Sequence, residues 1–65
     1  MDQITRLEAI AFAINEKANM AIEEQTKAYD YGYYTRGRFY QGQYEALCEV
    51  YTLLQNEINS LKQEG

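Results

Sequence analysis

The feature that most constrains this chain is an alternation of three- and four-residue steps, which occurs twice. In the N-terminal half the positions are Ile4, Leu7, Ala11, Ile14, Ala18, Ala21, Gln25 and Ala28. In the C-terminal half they are Tyr40, Tyr44, Leu47, Tyr51, Leu54, Ile58 and Leu61. Steps of this kind place side chains along one stripe of an α-helix, as in the seam of a coiled coil. The sequence therefore predicts two helices that pack along these seams.

The segment between the two seams follows neither pattern. Residues 30–38 read Asp-Tyr-Gly-Tyr-Tyr-Thr-Arg-Gly-Arg and hold three of the seven tyrosines. We expect one domain with a helix over about residues 2–29, a tip over about 30–38 and a second helix over about 39–63. The second helix is expected to start somewhere between residues 35 and 39, because the two glycines near its start each weaken a helix by roughly 1 kcal/mol relative to alanine.

Equal helix lengths and a short connection predict an all-α, antiparallel hairpin. Asp2 or Thr5 suits the start of the first helix, and Gly32 is a plausible left-handed residue just past its end. Folding the chain about residues 33–35 brings together positions whose numbers sum to about 68. Small residues then face large ones, with Ala18 opposite Tyr51, as close packing requires.

A second apolar stripe flanks the seams and is expected to be an oligomer interface. Its members are Ile10, Ala13 and Met20, with Phe12 nearby, and on the second helix Phe39, Ala46, Val50 and Leu53. A 65-residue chain with one cysteine cannot be stapled by an internal disulfide, so association is the remaining stabilising device. Two hairpins forming a four-helix bundle is the commonest solution, a larger ring of hairpins is possible, and docking to a different protein is the alternative.

Composition excludes several function classes. The net charge of −4 argues against general nucleic-acid binding. No apolar run is long enough to span a membrane, no signal-peptide pattern opens the chain, and a single cysteine fits a cytoplasmic location. Without histidine the chain lacks the commonest general base and has no zinc-ligand set. We expect no enzymatic activity, no metal and no cofactor. Cys48 lies beside the second seam and fits a packing role as a buried or half-buried small hydrophobe.

The tip carries the candidate binding residues. Tyrosine and arginine are the types most enriched at binding hot spots. The candidates are Tyr31, Tyr33, Tyr34, Arg36 and Arg38. A host protein would bury the rings and pair the arginines with carboxylates, whereas a nucleotide would stack on the rings and place phosphates against the arginines. A third interpretation is that the rings only cap the bundle. Because glycines lie at 32 and 37, we expect the tip to be loose and to become ordered on binding.

The stretch Tyr34–Leu47, Tyr-Thr-Arg-Gly-Arg-Phe-Tyr-Gln-Gly-Gln-Tyr-Glu-Ala-Leu, resembles small proteins of bacterial viruses. Some of those proteins are counter-defence factors, and the Gln41-Gly42-x-x-x-x-Leu47 part is similar to helical phage sponge proteins that sequester cyclic nucleotides. The resemblance implies a phage-encoded inhibitor that binds and blocks a bacterial defence or regulatory protein in the host cytoplasm. The alternatives are an oligomeric sponge for a cyclic nucleotide and a purely structural oligomerisation module.

Overall fold

The computed structural model describes residues 2–64, which form two antiparallel α-helices. Helix α1 covers Gln3–Asp30 and helix α2 covers Tyr34–Glu64. The Cα atoms span 50 × 17 × 11 Å, so the hairpin is long and flat. Two helices make one layer, and both broad faces of that layer are open to solvent. Within the described residues, neither helix combines the length and the apolar character needed to cross a membrane.

The start of α1 is fixed by a side-chain cap. Asp2 has an extended backbone, and its Oδ1 accepts a hydrogen bond from the backbone N–H of Thr5 at 2.7 Å. This bond satisfies one of the donors that a helix start leaves unpaired. It also lowers the pKa of the Asp2 carboxyl, because it stabilises the charged form. The expectation that Asp2 lies at this boundary is confirmed.

The end of α1 is a Schellman motif built on Gly32. The N–H of Tyr33 donates to the carbonyl of Ala28 at 2.8 Å, and the N–H of Gly32 donates to the carbonyl of Tyr29 at 3.1 Å. This pairing requires a left-handed residue just past the helix, and Gly32 has φ +80°. The predicted role of Gly32 is therefore confirmed, and the chain reverses direction within residues 31–33.

The predicted tip over residues 30–38 is too long, because α2 begins at Tyr34 and not near residue 39. The carbonyl of Tyr33 accepts the first helical hydrogen bond, from the N–H of Gly37 at 2.9 Å. Gly37 is buried, and a Cβ at this position would lie 2.7–2.9 Å from ring atoms of Tyr29. The absence of a side chain thus lets the Tyr29 ring pack on α2, and this contact offsets the poor helix propensity of glycine. The expected looseness around Gly37 is not found.

The two predicted seams form the core. All fifteen seam positions are buried or half-buried, and the fully buried ones are Ala11, Ala18, Ala21, Ala28 and Ile58. Gly37 lies three residues before Tyr40 and extends the second seam by one step. The small residues on α1 allow the larger side chains of α2 to fill the space between the helices.

Contacts across the hairpin agree with the predicted register. The Nζ of Lys62 lies 3.5 Å from Oε2 of Glu8 near the open end. The hydroxyl of Tyr29 donates to Oε1 of Gln41 at 3.1 Å near the turn. The residue numbers of both pairs sum to 70, within two of the predicted 68. One register therefore holds along the length of the hairpin.

Candidate binding site at the turn

Three of the predicted binding residues lie at the turn with their rings in solvent. Tyr31 and Tyr33 flank Gly32, and Tyr34 is the first residue of α2. Their exposed fractions are 75%, 57% and 65%. The rings therefore stay outside the seam, as the crowding of tyrosines in this segment predicted.

The exposed rings are arranged in pairs. Tyr31 and Tyr33 have ring centroids 6.4 Å apart, and Tyr34 pairs with the half-buried Tyr29 at 6.1 Å. Both distances lie in the range where aromatic pairs attract. Tyr29 is held in turn by Gln41 and Gly37. Through Tyr29, the ring of Tyr34 is thus connected to the packed part of the hairpin.

Arg36 completes this arrangement from the first turn of α2. Its guanidinium carbon lies 5.4 Å from the centroid of the Tyr33 ring, within the range of a cation–π contact. Stacking on a ring leaves the edge of the guanidinium free to donate hydrogen bonds to a carboxylate or a phosphate. Position and chemistry together make Arg36 the basic group of the site.

Arg38 does not join this group. It follows Arg36 by two residues, which is about 200° around the helix axis, so the two side chains leave α2 in nearly opposite directions. Arg38 also lines neither of the two grooves at this end of the hairpin. The structure therefore brings together Tyr31, Tyr33, Tyr34 and Arg36, and it separates Arg38 from them.

Two grooves share the pair formed by Tyr33 and Arg36 as a wall. The larger is open, with a volume of about 750 Å³, and its other walls are Gly32, Tyr34, Thr35, Phe39 and Tyr40. The smaller has a volume of about 260 Å³ and is otherwise lined by Glu24, Lys27, Ala28 and Tyr31. We define the tip cluster as Tyr31, Tyr33, Tyr34, Arg36 and Phe39.

Two residues of this region were not predicted to belong to it. Phe39 was assigned to the apolar stripe, but it lies three residues after Arg36, on the same side of α2, and lines the larger groove. Lys27 pairs with Glu24 at 3.7 Å on α1 and reaches the smaller groove. Helical spacing identifies Phe39 from the sequence once α2 is known to begin at Tyr34. Lys27 could be found only from the packing of α1 beside the turn.

The broad faces of the hairpin differ in character. The ion pair of Glu8 with Lys62 and the hydrogen bond of Tyr29 with Gln41 bridge the helices on one face, and each of these residues directly follows a seam position. We call this the polar face. Residues that directly precede a seam position lie on the opposite face because of the helical repeat. We call this opposite face the apolar face. Its apolar residues are Ile10, Ala13, Met20, Phe39, Ala46, Val50 and Leu53.

Five of the six predicted interface residues lie on the apolar face and are exposed: Ile10, Met20, Phe39, Val50 and Leu53. The sixth, Phe12, is equally exposed but follows the seam residue Ala11, so it belongs to the polar face. Ile22 also lies there and was not predicted as exposed. The apolar face therefore does not include Phe12, and Lys17, Glu24 and Gln43 lie between its apolar residues.

The remaining reactive group, the free thiol of Cys48, is half-buried beside the second seam. It lies one turn after Tyr44, and hydrogen bonding to this thiol raises the pKa of the Tyr44 hydroxyl. Within residues 2–64, no three carboxylate or thiol side chains are close enough together to hold a metal ion.

The geometry at the turn is suited to contact through rings and one guanidinium. No protein-family model matches the chain, and neither a curated protein nor a solved structure shows significant similarity to it.

Proposed function

We propose that this chain is a non-catalytic, oligomeric binding protein that attaches to a protein target through the tip cluster. The observation that supports this proposal is the set of exposed rings joined to Arg36 at one end of the hairpin. Fully burying a large apolar side chain is worth about 1.5–3 kcal/mol. A target that covers these rings gains that stabilisation, whereas the isolated hairpin leaves it unused.

The chemistry of the cluster indicates the kind of surface it fits. The chain as a whole has a net charge of −4, but Arg36 and Lys27 place cationic groups at this end. A complementary target has an apolar recess for the rings and a carboxylate at its rim for Arg36. The resemblance of residues 34–47 to phage counter-defence proteins suggests a bacterial defence or regulatory protein as the target. Inhibition then follows from blocking that surface.

A second candidate is favoured by the larger groove. Its walls combine Tyr33, Tyr34, Phe39 and Tyr40 with the guanidinium of Arg36. A nucleotide base can stack on such rings while a phosphate pairs with the arginine. In that case the oligomer sequesters a cyclic nucleotide. The third candidate, a structural oligomerisation module, requires no ligand at the tip.

The test begins with capture of ligands by the tagged chain from bacterial lysate, followed by mass spectrometry of bound proteins and of small molecules released by heat. Binding of the captured partner is then measured by calorimetry for Tyr33→Ala, Arg36→Ala and Arg38→Ala. We expect Tyr33→Ala and Arg36→Ala each to cost about 2 kcal/mol, roughly thirtyfold in affinity. Arg38→Ala is the matched control, because it removes the same charge two residues away on the other side of α2.

Four results would redirect the proposal. Equal losses for Arg36→Ala and Arg38→Ala would indicate a general charge effect and no defined site. Full binding by a variant that lacks Tyr33, Tyr34 and Arg36 would move the functional surface to the broad faces. Release of a nucleotide without a protein partner would favour the sponge, and capture of neither would favour the structural module. Circular dichroism of each variant verifies that the helices are retained.

A further inference from the structure

We infer that the apolar face is the interface of a homodimer, in which a second copy of this chain stacks on it to form a four-helix bundle. The inference rests on the self-association included in the proposed function and specifies its surface and its stoichiometry. It does not depend on the identity of the target, although Arg36 and Phe39 of the tip cluster lie at one end of this face. The reasons are the larger number of exposed apolar side chains on this face, the charge distribution and the accessible area.

Five large apolar side chains are exposed on this face, against two, Phe12 and Ile22, on the polar face. Met20 and Leu53 are 64% and 62% exposed, although both adjoin buried or half-buried seam residues. Between the helices this face has a groove of about 410 Å³, lined by Lys17, Met20, Ala21, Glu24, Tyr40, Gln43 and Leu47. Its floor includes the small residue Ala21, so it can receive a large side chain from another helix. A surface with both projecting side chains and a groove is suited to helix packing.

The charges on this face allow two copies to meet. Arg6, Lys17, Lys27 and Arg36 precede seam positions, and so do Glu24 and Glu57. The acidic excess of the chain therefore lies elsewhere, and the outer edges of the hairpin carry residues such as Glu16, Glu23 and Glu49. Stacking two apolar faces brings charges of both signs together at the rim and leaves the acidic edges in water. In a symmetric dimer, cations of one copy can then lie close to Glu24 or Glu57 of the other.

The accessible area corresponds to one missing partner. The hairpin exposes 5055 Å², whereas a compact monomer of its mass, 7.6 kDa, exposes about 4,300 Å². The excess is roughly 750 Å², and a stable complex of standard size removes about 800 Å² from each partner. One apolar face of a hairpin 50 Å long and 17 Å wide can supply this area. A single second copy on this face is therefore sufficient for an interface of standard size.

The experiment compares substitutions with the same initial exposure on the two faces. Met20→Glu and Leu53→Glu alter the apolar face, and Phe12→Glu, at 66% exposure, alters the polar face. Sedimentation equilibrium should give twice 7.6 kDa for the unmodified chain. We expect each apolar-face variant to raise the dimer dissociation constant at least tenfold, because a carboxylate replaces an apolar side chain that the interface would bury. The Phe12→Glu variant should remain within twofold of the unmodified chain.

A second measurement leaves the sequence of the interface almost intact. A photo-activated cross-linking side chain at position 53 should join two chains, and the same group at position 12 should not. The inference is overturned by a folded monomer at tens of micromolar, by a defined particle larger than a dimer, or by cross-linking from position 12 in preference to 53. A monomeric chain that still captures its target would overturn the dimer and leave target binding by the tip cluster in place. A dimer that captures no partner would support the dimer interface and contradict target binding by the tip cluster.

Discussion

At the scale of single residues, the packing of the hairpin depends on glycines, which have no side chain. Gly37 is the clearest case, since it is buried against the ring of Tyr29, and that ring carries the hydroxyl that donates to Gln41. The ring in turn stands 6.1 Å from Tyr34 in the tip cluster. One missing Cβ therefore allows a chain of contacts from the core to the candidate binding site.

Replacing Gly37 with alanine should destabilise the protein by about 1–3 kcal/mol, because the new Cβ displaces the Tyr29 ring. Gly42→Ala is the matched control within the same helix, since nothing lies within 4 Å of a Cβ there. That variant should gain about 1 kcal/mol from helix propensity. Chemical denaturation of both variants measures the two opposite effects. If Gly37→Ala is also stabilising, the described packing of Tyr29 is wrong.

The seam residues could be predicted from the sequence because helical spacing alone assigns them to one stripe. The role of Gly37 could not, since glycine inside a helix is unfavourable unless a partner in space compensates, and that partner lies on the other helix. The spacing does indicate that Gly37 belongs to the second seam, because it precedes Tyr40 by three residues. The same difficulty explains the misplaced start of α2 and the late assignment of Phe39 to the tip cluster.

At the scale of elements, the ends of the helices determine where the turn lies. Gly32 at φ +80° ends α1 with two backbone hydrogen bonds, and α2 begins two residues later. A Cβ added at position 32 would have open space around it. Any effect of substitution there therefore comes from backbone conformation and not from steric overlap with other residues.

We expect Gly32→Ala to lower the stability by about 1 kcal/mol, since L-residues with a Cβ are strained in the left-handed region. This corresponds to a decrease in melting temperature of roughly 4–8 °C for a domain of this size. Gly32→Asn should lose less, because asparagine tolerates this conformation. Equal melting temperatures for all three proteins would show that the Schellman motif does not contribute to stability.

The cap of α1 predicts an acid-dependent loss of stability. The hydrogen bond from Thr5 lowers the pKa of Asp2 in the folded state below the usual value of about 4. The stabilisation is therefore present above that usual value and is lost as the pH falls through the folded-state pKa. Asp2→Asn can accept the same bond without titrating. Melting curves between about pH 6 and pH 2 should show a steeper decline for the unmodified chain than for this variant.

At the scale of the whole molecule, the antiparallel hairpin follows from the sequence with little ambiguity. Two seams of similar length joined by a short turn have one compact arrangement, and the contacts at both ends agree with it. The separation of a polar from an apolar face was only partly accessible. The helical repeat assigns a residue to a face by whether it precedes or follows a seam position. Phe12 follows Ala11 and was wrongly grouped with residues that precede a seam position.

Because α2 begins at Tyr34, the entropy cost of binding a ligand at the turn should be small. Tyr34, Arg36 and Phe39 are held by helix α2, and only residues 31–33 connect it to α1. Little backbone entropy is then lost when a ligand arrives, so binding resembles docking of a rigid body more than coupled folding. The heat-capacity change on binding should accordingly be small, of the size expected for covering a few rings. A rigid probe of this kind also selects its ligand by shape, because it has few ways to adapt to a different one.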